Sequence, residues 1–488
     1  MELIKKQIHM NQWKGNVTTQ ITLDDDFIVP DTLDDMEQVM LDTGEIQIET
    51  VKNQGDKVAV KGKLEFQVLY RKESGGLQTL GGNIPFEEVV NVQGLEEKDY
   101  VGLNWMLEDL NTDMINSRKL GVQAIITLQV RVETLRDVEA AVDVDIENNS
   151  RPAGAGMSDT DGAGQVQVET LKRTANAAAI AVRRKDTYRI KEEVSIGGTK
   201  ENIGTLLWTE VTSRKLDTRL EADELRIQGE LLLFCFYESL DGKTDWIEQT
   251  VPYEGRIECY GAQDKMYHQI YPELNDVNID VRMDEDGEMR LIGVEATLEV
   301  RLIVYEEERL EILADAYSLE QSCMPKITEE QLERLLMQNH SKCKVAEQLS
   351  LPEIKDDILQ ICHSSARIQV EHTEAAEGGI QIEGVLHISF LYVKADDAIP
   401  FDTWQGMVPF SYLLESNETA ANMTYGLTYA VEQLSIGLLG TDEIEIKAVL
   451  AFHSFLKEPV CIRNIREIEF TPFDMEEMER RPGITGYI

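Results

Sequence analysis

Basic residues are scarce in this chain of 488: 47 Lys and Arg stand against 90 Asp and Glu, for a formal net charge of −43. A surface this negative repels nucleic acid and anionic lipid, because both present phosphates. It suits a strongly solvated surface or a basic protein partner. Long hydrophobic runs are absent as well. With no stretch of about 18 apolar residues, no membrane insertion is expected. The start, MELIKKQIHMNQWKGN, lacks the apolar core of a signal peptide, so the chain should stay where it is made. Six cysteines, at 235, 259, 323, 343, 362 and 461, include no CxxC pair, which excludes a zinc ribbon and a thioredoxin-type site. They are expected to be reduced and structural. No GxSxG elbow, HExxH or Walker sequence occurs, and Gly154-Ala155-Gly156 lacks the strand and helix that a phosphate loop needs.

What the chain has is one strand written three times. Val60–Tyr70 reads VKGKLEFQVLY, Ile227–Tyr237 reads IQGELLLFCFY and Ile382–Tyr392 reads IEGVLHISFLY. Apolar and polar residues alternate with a period of two, the pattern of a half-buried strand. The equivalent glycines Gly62, Gly229 and Gly384 are 167 and 155 residues apart, a domain-scale repeat. After the tyrosines Tyr70, Tyr237 and Tyr392 come turn residues and then an apolar–Pro–aromatic triplet, centred on Pro85, Pro252 and Pro409. Proline cannot donate to a ladder, so the triplet marks a strand start or an edge. Each copy also has an opening strand (from Asn16, Thr187 and Lys344) and a late one (from Val122, Gly293 and Glu443). Many short alternating strands predict a mainly β protein of three tandem sandwich-like domains with few short helices.

The expected boundaries are a first β-domain over 1–148, a flexible linker over 149–182, a second over 183–320, a helical connector over 321–341, a third over 342–472 and a tail over 473–488. Thr328-Glu329-Glu330-Gln331 is a capping-box pattern, with Leu332, Leu335 and Leu336 following at helical spacing. Ala175–Ala181 suggests a brief helix. The small and turn residues of Arg151–Gly164 suggest a mobile link, so copies two and three should move together more than copies one and two.

No chemistry repeats with the strands. Glycine, proline, tyrosine and apolar side chains recur; no nucleophile, imidazole or carboxylate pair does. The tyrosines end inward-facing rows, which points to packing. Asp284-Glu285-Asp286-Gly287 resembles part of a calcium loop, but Arg282 stands where its first ligand belongs, so a hairpin turn is expected. Asp24–Asp26 and Asp34-Asp35 read as solvated loops, and Cys362-His363, His372 and His387 lack paired ligand spacing. Neither a metal, a cofactor nor a catalytic set is therefore expected. Trp246 and Trp404, before the second and third proline triplets, could stack sugars if exposed or pack across strands.

An opening strand and proline as in LSLPEIKDDI, the I-x-G-x-L-x-I-x-F-L-Y strand, a hairpin and V-P-F together resemble the SPOCS-domain family of clostridial spore-morphogenesis proteins, over roughly Asn16–Phe470. KDTYRIKEEVSI, with Asp217-Thr218-Arg219 downstream, is similar to the middle copy of such three-domain chains. The resemblance implies a non-enzymatic structural role in the spore coat or envelope, in the mother-cell cytoplasm and on the forespore or spore surface, with protein partners in the spore envelope, a second copy of the chain being one candidate. Such chains engage the coat's morphogenetic ATPase through a C-terminal LysM module. Here the tail RRPGITGYI looks like the lead-in to that module and then stops, so the LysM function is not carried over and the coat ATPase stays an open candidate partner. The alternative is a glycan-binding module of cell wall or cortex, acting through Trp246 and Trp404.

Overall fold

The computed structural model describes residues 2–145, 168–318, 321–354, 358–396, 400–416 and 423–472. Each copy is built from six strands. The first has β1 (Glu2–Ile28), β2 (Met36–Asn53), β3 (Lys57–Lys72), β4 (Leu77–Asn91), β5 (Tyr100–Asn116) and β6 (Lys119–Asp145). The second has β7 (Val168–Ser195), β8 (Ile203–Glu221), β9 (Glu224–Ser239), β10 (Thr244–Glu258), β11 (Tyr267–Met283) and β12 (Met289–Ser318). The third has β13 (Gln321–Ser350), β14 (Ile358–Ala376), β15 (Gly379–Lys394), β16 (Phe401–Glu415), β17 (Thr424–Leu438) and β18 (Glu443–Pro472). Within a copy they form two three-stranded antiparallel sheets, ordered β2-β3-β4 and β1-β6-β5 in the first copy and likewise in the others.

The thrice-written strand is the central strand of one sheet, and the proline triplet lies on its edge strand, where a missing N–H costs no ladder bond. Glycine and triplet belong together. Gly62 pairs with Phe86, Gly229 with Tyr253 and Gly384 with Phe410. A Cβ on Gly62 would meet the Phe86 ring at 2.8 Å, one on Gly229 the Tyr253 hydroxyl at 2.5 Å, and one on Gly384 the Phe410 ring at 2.9 Å. Each aromatic lies across the bare backbone of its glycine, which pins the register. The tyrosines end inside the sandwich, fully buried. Tyr70 donates to the Asp34 carbonyl at 3.0 Å, and Tyr237 to the Glu201 carbonyl at 3.3 Å.

Two expectations are corrected. Among the described residues there is no α-helix, only a 3-10 turn at Pro352–Ile354. The expected connector over 321–341 is the first two-thirds of β13, and Ala175–Ala181 lies within β7. Tertiary packing overrides local propensity at both places. The outer strands run far beyond their domains as three antiparallel ribbons, β1/β6, β7/β12 and β13/β18, which pack into a shared stalk. Leu332 is buried there with Ile8, Val138, Leu310 and Ile462, while Leu335 joins Tyr305 and Phe455. Ala177, Ala178 and Ala179 are buried because the second ribbon touches both of the others. The capping-box residues serve the stalk as well: Glu330 binds Arg136 of the first ribbon at 2.6 Å and also pairs with Arg466. The described six-stranded units are thus 2–145, 168–318 and 321–472. Most of the linker expected over 149–182, and the tail over 473–488, lie outside the described residues; from Val168 onward the chain is already β7.

Candidate functional site: three seams around an axial chamber

Three side-by-side copies with separate cores would leave their sheets half solvated. Instead the copies close on one another around a pseudo-threefold axis. Three hydrophobic cores belong to single copies, and a fourth cluster draws on all three: Met40, Leu41, Leu69 and Leu77 from the first, Leu207, Trp208, Phe234 and Phe236 from the second, Cys362, Leu391 and Phe401 from the third. A repeated backbone device builds it. Strands β2, β8 and β14 each carry register shifts against their central strand, and the residue left over at the second shift is Met40, Leu207 or Cys362. These bulges have the same 167- and 155-residue spacing as the glycines. A bulge turns a side chain and a carbonyl out of the ladder. Here all three side chains enter the shared cluster, and the carbonyls of Met40 and Leu207 point at a neighbouring copy. Thr79 donates its hydroxyl to the Leu207 carbonyl, and Thr403 donates to the Met40 carbonyl at 2.7 Å. So β4 of copy one faces copy two, and β16 of copy three faces copy one.

At the position equivalent to Thr79 and Thr403, copy two has Trp246, opposite Phe236 in the ladder. Its ring meets Phe401 of copy three edge-on at 6.4 Å and carries the Lys200 ammonium 5.0 Å away. Trp404 stacks on Phe390 at 5.2 Å within copy three. Both tryptophans are half-buried and engaged with protein rings.

The three contact zones, or seams, have different chemistry. Between copies one and two, arginines dominate. Arg183 donates to Glu133 at 2.7 Å and lies 4.2 Å over the Tyr100 ring; Arg301 donates to the Leu103 carbonyl at 3.0 Å; Arg131 reaches the Tyr271 hydroxyl at 3.3 Å. Between copies three and one, polar side chains take up backbone groups. Arg367 donates to the Leu107 and Glu108 carbonyls, and the Asn464 amide receives from the Ala141 N–H at 3.1 Å while donating to the Glu139 carbonyl at 2.6 Å. Between copies two and three, imidazoles and aromatics meet. His363 lies 3.0 Å from both Glu210 and Glu248 and stacks on Phe234 at 3.9 Å; Tyr305 stacks on Phe455 at 4.6 Å.

The seams line an open chamber of about 1810 Å³ shared by all three copies, with Glu45, Glu273, Arg301, Arg367 and His453 among its walls. Burial raises the Glu273 carboxyl to about 7, helped by neighbouring Glu299 and Glu45. Glu45 is also raised, first by burial and then by Glu65 and Asp276. Burial pushes the Cys235 and Cys362 thiols up to about 12, so both stay protonated and inert near neutral pH. Among the described residues, no group of three or more His, Cys, Asp or Glu could hold a metal ion. The Asp284–Gly287 segment is a hairpin turn, with the Asp284 carboxylate receiving the Asp286 and Glu288 N–H groups at 3.0 and 2.9 Å. His372 and His387 stand apart on β14 and β15, bound to Glu374 and Gln369. No described helix is long and apolar enough to cross a membrane.

Sequence reasoning passed over the seam residues, although one signal was available. Alternation fails at Leu69, at Phe234 and Phe236, and at Leu391, where large apolar side chains stand on the face that should be polar. A strand apolar on both faces is covered on both faces.

A family model described as SipL, SPOCS domain, matches residues 35–115, 202–282 and 357–439. Curated proteins and solved structures give no match. Each matched segment runs from the bulged strand to the strand beside the chamber, leaving out the two long strands that build the stalk. Matched three times in the same order and over half of its length, the chain belongs to the SPOCS-domain family.

Proposed function

We propose that this protein is a non-enzymatic assembly scaffold of the spore coat or spore envelope. The observation that carries this reading is how the ionisable side chains around the axis are used. His363, Glu133, Arg183, Arg301 and Lys457 each hold one copy against another or sit within a seam. A chain that spends its buried charges on joining its own domains is built to be a solid body with a defined outer surface. That outer surface carries the excess of carboxylates, which suits basic protein partners and keeps copies soluble until they are recruited. Membership of a sporulation-related family sets the context.

The test is a fluorescent fusion followed by microscopy in sporulating cells. A ring around the forespore is expected. Signal that stays diffuse throughout sporulation would overturn the reading, and loss of the ring in a strain without the coat ATPase would identify the anchor.

A further inference from the structure

Of the seven histidines in the chain, four lie at the seam between copies two and three. They form two groups with opposite electrostatics. In the first, His363 of β14 reaches with one ring nitrogen to Glu210 of β8 and with the other to Glu248 of β10, both at 3.0 Å, with Phe234 of β9 beneath the ring. Arg214 lies close enough to feel both carboxylates. An imidazole between two carboxylates is a bridge when protonated; when neutral it can donate to only one of them.

The second group has no such support. His340 of β13 and His453 of β18 face each other with ring centroids 4.2 Å apart. His268 of β11 approaches from copy two, its ring nitrogen 2.9 Å from the Thr218 hydroxyl and its backbone N–H donating to Gln338 of β13 at 3.2 Å. The charged groups that face them are Asp217 of β8, Glu432 of β17 and Lys342 of β13. Glu432 is paired with Lys342 at 2.6 Å, which leaves Asp217 to serve three imidazoles. Burial and the repulsion of His340 hold His268 and His453 near 4, and burial pushes His340 down against the pull of Asp217, whereas the two carboxylates raise His363 above the ordinary 6.5 despite its burial.

We propose that the seam between the second and third domains is a pH-set hinge, clamped by the Glu210–His363–Glu248 bridge and forced apart when the His268–His340–His453 cluster takes up charge. The signs follow from which form each state prefers. His363 binds its proton more tightly in the closed seam, so its clamp is complete below 6.5 and is lost as pH rises through its elevated value. The cluster binds protons less tightly when closed, so the seam weakens as pH falls from 6.5 toward 4. The closed seam is therefore tightest near the pH at which a free imidazole titrates and loosens on both sides. Opening it would uncover Phe236, Phe401 and Phe455, which a second copy could cover in turn. The hinge holds whether or not the protein acts in a spore.

Hydrogen exchange of the whole protein between pH 4.5 and 8.5, expressed as protection factors, tests this. Amides of β11, β13 and β18 around the cluster are expected to be best protected near pH 6.5, with protection falling at least about tenfold by pH 5. Amides of β5, beside the arginine seam between copies one and two, serve as the internal control and should show no such maximum. In the H340Q/H453Q variant the acid limb should flatten, and in H363Q the alkaline limb should disappear. Unchanged limbs in both variants, or the same profile at the control seam, would overturn the proposal.

Discussion

The seam between copies one and two and the seam between copies two and three occupy equivalent places around one axis, yet they are held by different chemistry. The first relies on guanidinium groups laid on aromatic rings and carbonyls, which stay charged at any physiological pH. The second relies on stacked aromatics and imidazoles, whose charge is conditional. A backbone repeated three times thus sets where the domains touch, and the side chains at those points set under what conditions they stay together. The ladder positions of Glu133, Tyr305 and Lys457 show this most plainly. Each sits at one of the two register shifts of its ribbon, and the three supply an anion, a phenol ring and a cation. Lys457 lies 5.3 Å over the Tyr305 ring and binds Glu333 at 2.5 Å.

The largest effect should come from removing the apolar centre that the three copies share. Phe236 is fully buried and meets Phe401 edge-on at 4.9 Å. F236A should lower stability by about 3–5 kcal/mol, read from the denaturant midpoint, and the loss should register in all three domains. A loss confined to copy two would mean that the cluster is not a common core. A smaller cost is expected from R183M at the arginine seam, about 1.5–3 kcal/mol. It leaves the Glu133 carboxylate with Asn11 at 2.5 Å and Arg131 at 3.4 Å, so the buried charge is not abandoned. An R183K variant that recovers full stability would show that charge alone, without the planar stacking on Tyr100, is enough.

How far the sequence anticipates these differences depends on the period of its pattern. The strands β3, β9 and β15 were legible because their inner faces alternate strictly, and the glycine–proline–aromatic spacing located the hairpin that follows. The stalk was illegible for the opposite reason. Along β13 the strand passes from the stalk to its own domain and changes which face is covered. Leu332 and Leu335 are therefore buried three residues apart, which mimics a helical period. The bulges at Met40, Leu207 and Cys362 leave no trace in composition, since a methionine, a leucine and a cysteine share only their low polarity. The seams could be read in part, from Leu69, Phe236 and Leu391, but not the pairing of copies. Arg367 and Leu107 lie 260 residues apart, and nothing local links them.

The chamber side of the arginine seam offers a change of the opposite sign. The Glu273 carboxyl titrates near 7 when folded against an ordinary 4.5. Its contribution is intact below 4.5 and is lost as pH rises through 7. A shift of that size corresponds to about 3 kcal/mol, reduced by partial solvent access to about 1–2 kcal/mol. E273Q should therefore be more stable than the parent at pH 8 by about that amount and should match it at pH 4.5. Equal melting profiles at pH 8 would show that the carboxyl is relieved by Arg301 or Lys185.

The smallest effect belongs to the outside of the stalk, where copies one and two also meet. Lys6 binds Glu308 at 2.9 Å and Lys172 binds Asp143 at 2.8 Å, all four side chains being partly solvated. Exposed pairs of this kind contribute about 0.2–1 kcal/mol each and are screened by salt. The double variant K6Q/K172Q should accordingly lose at most about 2 kcal/mol at low ionic strength and little at 1 M NaCl, where the parent has lost the same contribution. The Arg183–Glu133 contact, with both side chains mostly buried, should keep its effect at either salt concentration. If R183M became silent in 1 M NaCl as well, the arginine seam would be held by surface electrostatics throughout, and its contrast with the imidazole seam would reduce to one of screening.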